Sequence, residues 1–410
     1  MLLVLHWILV ATYCILPAAA IGWAVVRRGG RWRGLMTTFT AAIILSMVLN
    51  FIYAQAVGGR AMVGQIALMA YFGTAMLLML RIFDAGIIGA LRRLLRLHPP
   101  LPRAARGRLW LAAGVRAAVL VSFVLPFVMA AVMIYRPKVA LNDDPKHQLG
   151  WPFEPVSFES LDGVTIRGWW IPASPARRLR ASDRTVILCH GLGANKANQL
   201  VLGRNLVRDY NILAIDLRAH GESGGHLSTL GDTERYDVLG AVRWLKTNRP
   251  SESQHLFGVG ASAGAAALIA AAAEDSDEGR AIEALALYGT YDDLGALAQS
   301  ISGRYFANPL RSLVRWVALP LAEIHAGRRL RQFRPADLIP ALWPRPVFII
   351  HGENDDIIDI RHGLNLFDSA VQPKDALWLP TGDHNAIIHN DAAARRVKRF
   401  LDTARPRAIL

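Results

Sequence analysis

The stretch FGVGASAGAA, Phe257 to Ala266, decides how this chain folds. At its centre Gly260-Ala261-Ser262-Ala263-Gly264 fits G-x-S-x-G, the pattern of a serine on a sharp turn between a strand and a helix. The same residues also suit a helix start where glycine and alanine merely permit close packing. With 34 Gly in 410 residues, accident produces such a match roughly 0.1 times. The decision therefore rests on what surrounds it.

Immediately before Ser262 runs HLFGVG, short and apolar, and immediately after it the small-residue segment SAGAAALIAAAA. That is a strand, a turn and a helix in the order the pattern requires. Further out, TVILCHG, NILAIDLR, ALALYG, PVFIIHG and ALWLP are likewise short, aliphatic or β-branched, and most end in polar or glycine residues. Helical patterns fall between several of them, at Gln199–Asp209, Asp232–Thr247 and Ser262–Ala273. Strands buried on both faces and joined by helices predict a mostly parallel α/β sheet with helices on both faces. PVSFESLDGVTIRGWWIPA alternates up to Asp162-Gly163 and back, which predicts a hairpin forming the antiparallel edge of that sheet. Ligands gather at the carboxyl ends of strands in such sheets, so chemistry is to be sought in the loops that follow them.

A serine hydroxyl is a weak nucleophile at neutral pH and needs a base and an orienting carboxylate. HGENDDIID supplies Asp355 in the turn leaving one strand, and GDHN supplies His384 after the last one. Glu353, Asp356 and Asp359 compete for the acid role, and His389 for the base. The order Ser262, Asp355, His384 is the order expected of a nucleophile elbow. Two backbone N–H groups would hold an oxyanion: that of Ala263 at the helix N-terminus, and that of Leu192 in the turn CHGLGANK. His190, His220 and His351, each in a His-Gly pair at a strand end, read as loop braces. The 12 histidines form no pattern of metal ligands with acidic partners, so no metal and no cofactor are expected.

From about Val156 to Arg399, the ordered set FESLDGVTIRGWWIP, HGLGAN, DLRAHGES, GVGASAG, HGENDDII and GDHN resembles the α/β-hydrolase superfamily, and within it the Bem46-like or ABHD13-like serine hydrolases. The resemblance implies an α/β-hydrolase domain over 143–405 with Ser262 as nucleophile, Asp355 as acid, His384 as base, and Leu192 and Ala263 as oxyanion donors. It also implies acyl transfer to water from esters or thioesters. A peptidase or amidase on the same residues is the alternative; a non-catalytic receptor or scaffold is a further one. Two departures stand out: Ala219 occupies a position where glycine is usual, and the membrane-anchoring part is longer than in such relatives.

That part is read from charge and hydropathy. Hydrophobic residues make up 53% of the chain and the mean hydropathy is +0.26, high for a protein wholly in water. The formal charge of +14 is concentrated at one end: up to Arg136 there are 14 Arg, no Lys and one acid, Asp84. Such arginine between apolar runs is a membrane-topology signal and argues against a nucleic-acid partner. Uncharged runs at 2–26, 35–57, 61–80 and 117–135 are each about the length that crosses a bilayer, which gives a helical transmembrane region over 1–136. Arginine crowds the first and third connections, so these face the cytoplasm and everything after Tyr135 faces out. MLLVLHW has no positive n-region, which favours an anchor over a cleaved signal peptide. The Arg-rich, Lys-poor composition points to a bacterial inner membrane with the soluble domain in the periplasm. The basic stretch IIGALRRLLRLHPPLPRAARGR reads either as lying on the inner leaflet or as a solvated loop.

Between about residues 291 and 337 an insertion occupies the position of a lid. Leu310, Leu313, Val314, Trp316, Val317 and Leu319 recur there at helical spacing, either as an acyl-pocket or bilayer-facing wall or as an ordinary packed helix. The expected partners are thus a lipid bilayer and a small-molecule or lipid-like acyl substrate. Cys14 and Cys189 are too few for a disulfide framework and read as small buried hydrophobes.

Overall fold

The computed structural model describes residues 143–173, 182–305, 318–386 and 390–404, together with Ile134, Lys138, Val139, Leu141 and Trp316. The chain divides into two units, Met1–Val124 and Leu125–Leu410, and all described residues belong to the second. The four predicted spans, except Ile134, lie outside the described residues. Among the described residues no helix is long and apolar enough to cross a membrane.

Eight strands form one sheet: β1 (Glu154–Glu159), β2 (Thr165–Ile171), β3 (Arg184–Cys189), β4 (Asn211–Asp216), β5 (His255–Ala261), β6 (Ile282–Tyr288), β7 (Val347–Gly352) and β8 (Lys374–Leu379). Their spatial order is β1-β2-β4-β3-β5-β6-β7-β8. The predicted hairpin is there, with Glu159 opposite Thr165 and Gly163 at φ +82°, the left-handed turn conformation that glycine adopts freely. β2 continues antiparallel onto β4, and every later pair is parallel. The hairpin is therefore the antiparallel edge of a mostly parallel sheet, as the sequence predicts.

Alternation along each strand sorts its side chains between two cores. Val186 and Leu188 of β3 and Ile212 and Ala214 of β4 point to one side. Ile187, Cys189, Leu213 and Ile215 point to the other. Six helices of eight or more residues occur among the described residues: α1 (Arg235–Asn248), α2 (Ala263–Ala272), α3 (Leu294–Tyr305), α4 (Leu319–Ala326), α5 (Ile360–Ser369) and α6 (Asp391–Thr403). α1, α2 and α5 cover the first-named strands' opposite face through Val238, Leu268 and Leu366, while α6 covers the other with Val397 and Leu401. Every residue of α2 is buried, consistent with a helix apolar all round.

The segment Gln199–Asp209 departs from the expected regular helix. A helical turn at Leu200–Gly203 passes into successive turns, because Leu200, Leu202, Leu206, Val207 and Tyr210 must all reach the core from one short connection. A third apolar cluster joins Leu294 and Leu297 of α3 and Ala322 of α4 to Ala266 and Ala270 of α2, with Ile134 fully buried among them.

Candidate active site

Ser262 is the residue between β5 and α2, with φ +51° and ψ −120°. Side chains rarely adopt this conformation, and holding one there costs about 1–3 kcal/mol. The surroundings enforce it. Ser262 N–H donates to the Tyr288 carbonyl at 2.9 Å, and its own carbonyl accepts from Ala265 N–H, Ala266 N–H and Thr290 Oγ1 at 3.1, 3.1 and 2.8 Å. The flanking glycines leave room for the turn: a Cβ on Gly260 would stand 2.7 Å from Leu268 Cδ1, and one on Gly264 2.4 Å from the His190 carbonyl oxygen. α2 can start this close to β3 only because Gly264 has no side chain.

Asp355 lies just beyond β7 and His384 beyond β8, so both stand at the carboxyl edge of the sheet, as Ser262 does. His384 Nδ1 is 2.7 Å from Asp355 Oδ2. The other carboxylate oxygen, Oδ1, accepts from the N–H groups of Ile357 and Ile358 at 2.8 and 2.7 Å. His351 adds a fourth partner, its Nε2–H donating to the Ile358 carbonyl at 2.8 Å and lying 3.5 Å from Asp355 Oδ2. Burial alone would raise the Asp355 carboxyl, but its bonds to His351, His384 and the Ile358 N–H outweigh burial and hold it well below the usual carboxylate range. Of its sequence competitors, Glu353 and Asp356 are exposed, and Asp359 caps the N-terminus of α5. His389 lies outside the described residues. Among the described residues no hydrogen bond joins Ser262 Oγ to the His384 ring; such contacts commonly tighten only when substrate binds.

The loop after β3 runs against the serine: a Cβ on Gly191 would be 3.1 Å from Ser262 Cβ. Among the described residues neither Leu192 N–H nor Ala263 N–H donates to a protein acceptor. The far end of the loop is tied down by Lys196, fully buried, whose backbone N–H reaches Asp216 Oδ1 at 2.7 Å and whose Nζ reaches Asp216 Oδ2 and Glu222 Oε2 at 2.6 and 2.7 Å.

The family model for the alpha/beta hydrolase fold matches residues 184–331, from β3 through the serine turn into the insertion after β6. By sequence the chain is similar to the uncharacterized protein YfhR of Escherichia coli O157:H7, 29% identical over 291 residues that cover 68% of this chain and 93% of that one. It is also similar to alpha/beta hydrolase domain-containing protein 17B of Xenopus laevis, 26% identical over 242 residues, 58% of this chain and 73% of that protein. By structure it resembles the Pyrococcus furiosus esterase Pf2001, with a TM-score of 0.53 and 27% identity, over 66% of this chain and 99% of the esterase. The chain has the α/β-hydrolase fold, and its likeness to an esterase supports a hydrolase.

Two residues of this hydrolase escaped the sequence reading. Tyr288 and Thr290 flank the turn after β6, which lies between the serine turn and the histidine loop: Tyr288 Oη donates to the His384 carbonyl at 3.0 Å, and Thr290 holds the Ser262 carbonyl. Gly289 between them, at φ +54°, leaves space that a Cβ would take 3.4 Å from His384 Cε1. ALALYG was legible as a strand, but no motif marks its exit as part of the site. Ala219, which stands where glycine is usual, sits buried at φ +61°, a left-handed conformation that costs alanine about 1 kcal/mol.

In the segment expected to form a lid, Leu310, Leu313, Val314 and Val317 lie outside the described residues, Trp316 is 66% exposed and Leu319 is buried. Cys189 is buried and unbridged, and burial pushes its thiol up; Cys14 lies outside the described residues. One grouping with metal-like spacing, Asp143, Asp144 and His147, went unremarked in the sequence. Its central carboxylate is already engaged, capping the turn at Pro145–Leu149 through Lys146 and His147 N–H and meeting the His147 ring at 2.8 Å.

Proposed function

We propose that the protein is a membrane-anchored serine hydrolase of Bem46-like type that cleaves carboxylic esters or thioesters through an acyl-enzyme. The observation that carries this reading is the 2.7 Å contact of His384 Nδ1 with Asp355, at the same sheet edge as a serine in strained backbone. The Asp355 carboxylate keeps the proton of His384 on Nδ1, which leaves Nε2 free to accept. As Ser262 Oγ attacks the acyl carbon, His384 Nε2 takes its proton, and the oxyanion is received by the N–H groups of Leu192 and Ala263. The imidazolium then protonates the leaving alkoxide or thiolate. Water, deprotonated by His384, attacks the acyl-enzyme and releases the acid and free Ser262. The likeness to an esterase at 27% identity favours ester over amide cleavage. The four apolar runs and their arginine pattern favour anchoring in a bacterial inner membrane, the hydrolase domain outside, and acyl substrates that are lipid-like.

A fluorophosphonate probe tests the chemistry. Labelling of the full-length protein that disappears in Ser262→Ala supports the reading, and well-folded wild type that takes no label overturns it. Turnover of p-nitrophenyl acetate against the corresponding anilide separates esterase from amidase. A reporter fused after Leu410 tests the topology: activity on the cytoplasmic side overturns the outward orientation.

A further inference from the structure

The Leu192 N–H belongs to a loop whose two central peptide planes are each held by a different imidazole. His190 Nε2 accepts the Leu217 N–H at 3.0 Å, so its proton is on Nδ1, which donates to the Gly191 carbonyl at 2.7 Å. Ala194 N–H donates to the same carbonyl at 3.3 Å. The Gly191–Leu192 peptide is planar and trans, so a carbonyl fixed on one side directs the Leu192 N–H to the other. His220 acts on the next plane. Its Nδ1–H donates to the Arg218 carbonyl at 2.8 Å, which leaves Nε2 bare to accept the Gly193 N–H at 3.2 Å. The two rings meet edge to face with centroids 4.9 Å apart, both buried. Burial, with His220 alongside, pushes His190 down to about 3, which keeps it neutral and its bonding pattern intact through the working pH range.

Leu192 Cα joins the two planes, so rotation of the Leu192–Gly193 plane shifts Leu192 Cα and with it the N–H that the first plane carries. We propose that His220 is a positioning residue for acyl transfer: by accepting the Gly193 N–H it fixes the Leu192–Gly193 plane and with it the aim of the Leu192 oxyanion donor. This rests on the reading of Leu192 as a donor to the oxyanion. It assigns to the HGES segment after β4 a part in transition-state stabilisation, distinct from space filling in a buried corner. The strength of an oxyanion contact depends on donor geometry at the position the oxygen takes in the transition state, so a loosened plane lowers kcat and leaves ground-state binding alone.

Three variants of the full-length protein separate aim from packing. His220→Phe keeps ring volume and the edge contact and cannot accept. His220→Asn can still donate to Arg218 through the atom that replaces Nδ1, but is too short to reach Gly193. His220→Gln places an acceptor oxygen where Nε2 stood. Removing an oxyanion donor outright costs about 10²–10³-fold, so misaiming one is expected to cost about 10-fold. The expected result is that Phe and Asn lower kcat for p-nitrophenyl acetate about 10-fold with KM within about twofold, while Gln stays near wild type. Affinity for phenylboronic acid, a tetrahedral mimic, should fall by the same factor as kcat/KM. If His220→Phe does not fold, the Asn and Gln pair decides the matter. Wild-type kcat in His220→Asn, or a Gln variant as slow as Asn at equal thermal stability, overturns the proposal and leaves the serine-hydrolase reading standing. A wild type that takes no Ser262-dependent label removes that reading, and this proposal with it.

Discussion

His384 Nδ1 and Asp355 Oδ2 lie 2.7 Å apart, while Asp355 Oδ1 is held by two successive backbone N–H groups, those of Ile357 and Ile358. One carboxylate thus organises its own loop with one oxygen and the histidine with the other. Substitutions can separate the two duties. Asp355→Asn keeps an oxygen for the backbone but offers an N–H to His384, which shifts the imidazole proton to Nε2. Ester turnover should fall about 10⁴-fold. Asp355→Ala orphans the buried Ile358 N–H and the part-exposed Ile357 N–H and should cost about 1–3 kcal/mol in stability, read by chemical denaturation.

The depressed Asp355 carboxyl has a defined sign in acid. Because its folded pKa lies below the unfolded one, its stabilisation is complete above the ordinary carboxyl range, about pH 4, and fades as pH falls toward the folded value. The stability difference between wild type and Asp355→Asn should therefore be flat above about pH 5 and shrink steadily below about pH 4. Thermal unfolding followed by tryptophan fluorescence across that range checks it, and a difference that grows in acid contradicts it.

Strain at the serine turn predicts a trade between stability and activity. Ser262→Gly relieves φ +51° and should raise stability by about 1 kcal/mol, a melting-temperature gain of about 2–4 °C, while abolishing turnover. Ser262→Ala abolishes turnover without the gain, since alanine is strained in the same way.

Gly264→Ala should act in the opposite sense. Its Cβ would be 2.4 Å from the His190 oxygen and 2.7 Å from that of Cys189, both backbone atoms that cannot step aside. Moving α2 off β3 should cost about 1–3 kcal/mol and slow fluorophosphonate labelling, because Ser262 and the Ala263 N–H move with the helix.

Ala219→Gly provides a control away from the serine. Relief of the left-handed alanine should raise stability by up to about 1 kcal/mol and leave kcat unchanged, measured by denaturant unfolding and ester turnover.

Much of the fold was legible locally. Each run that became β3 to β8 is short and apolar, most stop at polar or glycine residues, and Asp162-Gly163 sits at the hairpin turn. These are short-range preferences, so a sequence shows them. The Gln199–Asp209 connection was less legible, because how much of it stays helical depends on which side chains the core demands. Ser262, Asp355 and His384 stood out because each follows a strand end within a recognisable motif. Tyr288 and Thr290 did not, since their roles consist of single hydrogen bonds to loops 96 and 28 residues away in sequence.

The sequence by itself determined the order of elements, the antiparallel edge, the small residues that let a helix start against a strand, and the arginine asymmetry of the first third. Tertiary structure decided which carboxylate meets His384, which bonds bend Ser262 into a conformation its own side chain disfavours, and which imidazoles hold the two planes beside Leu192. The physical reason is range. Periodicity, turn chemistry and charge pattern act within a few residues. A backbone plane held by a histidine 27 residues away exists only once the sheet has brought the two loops together.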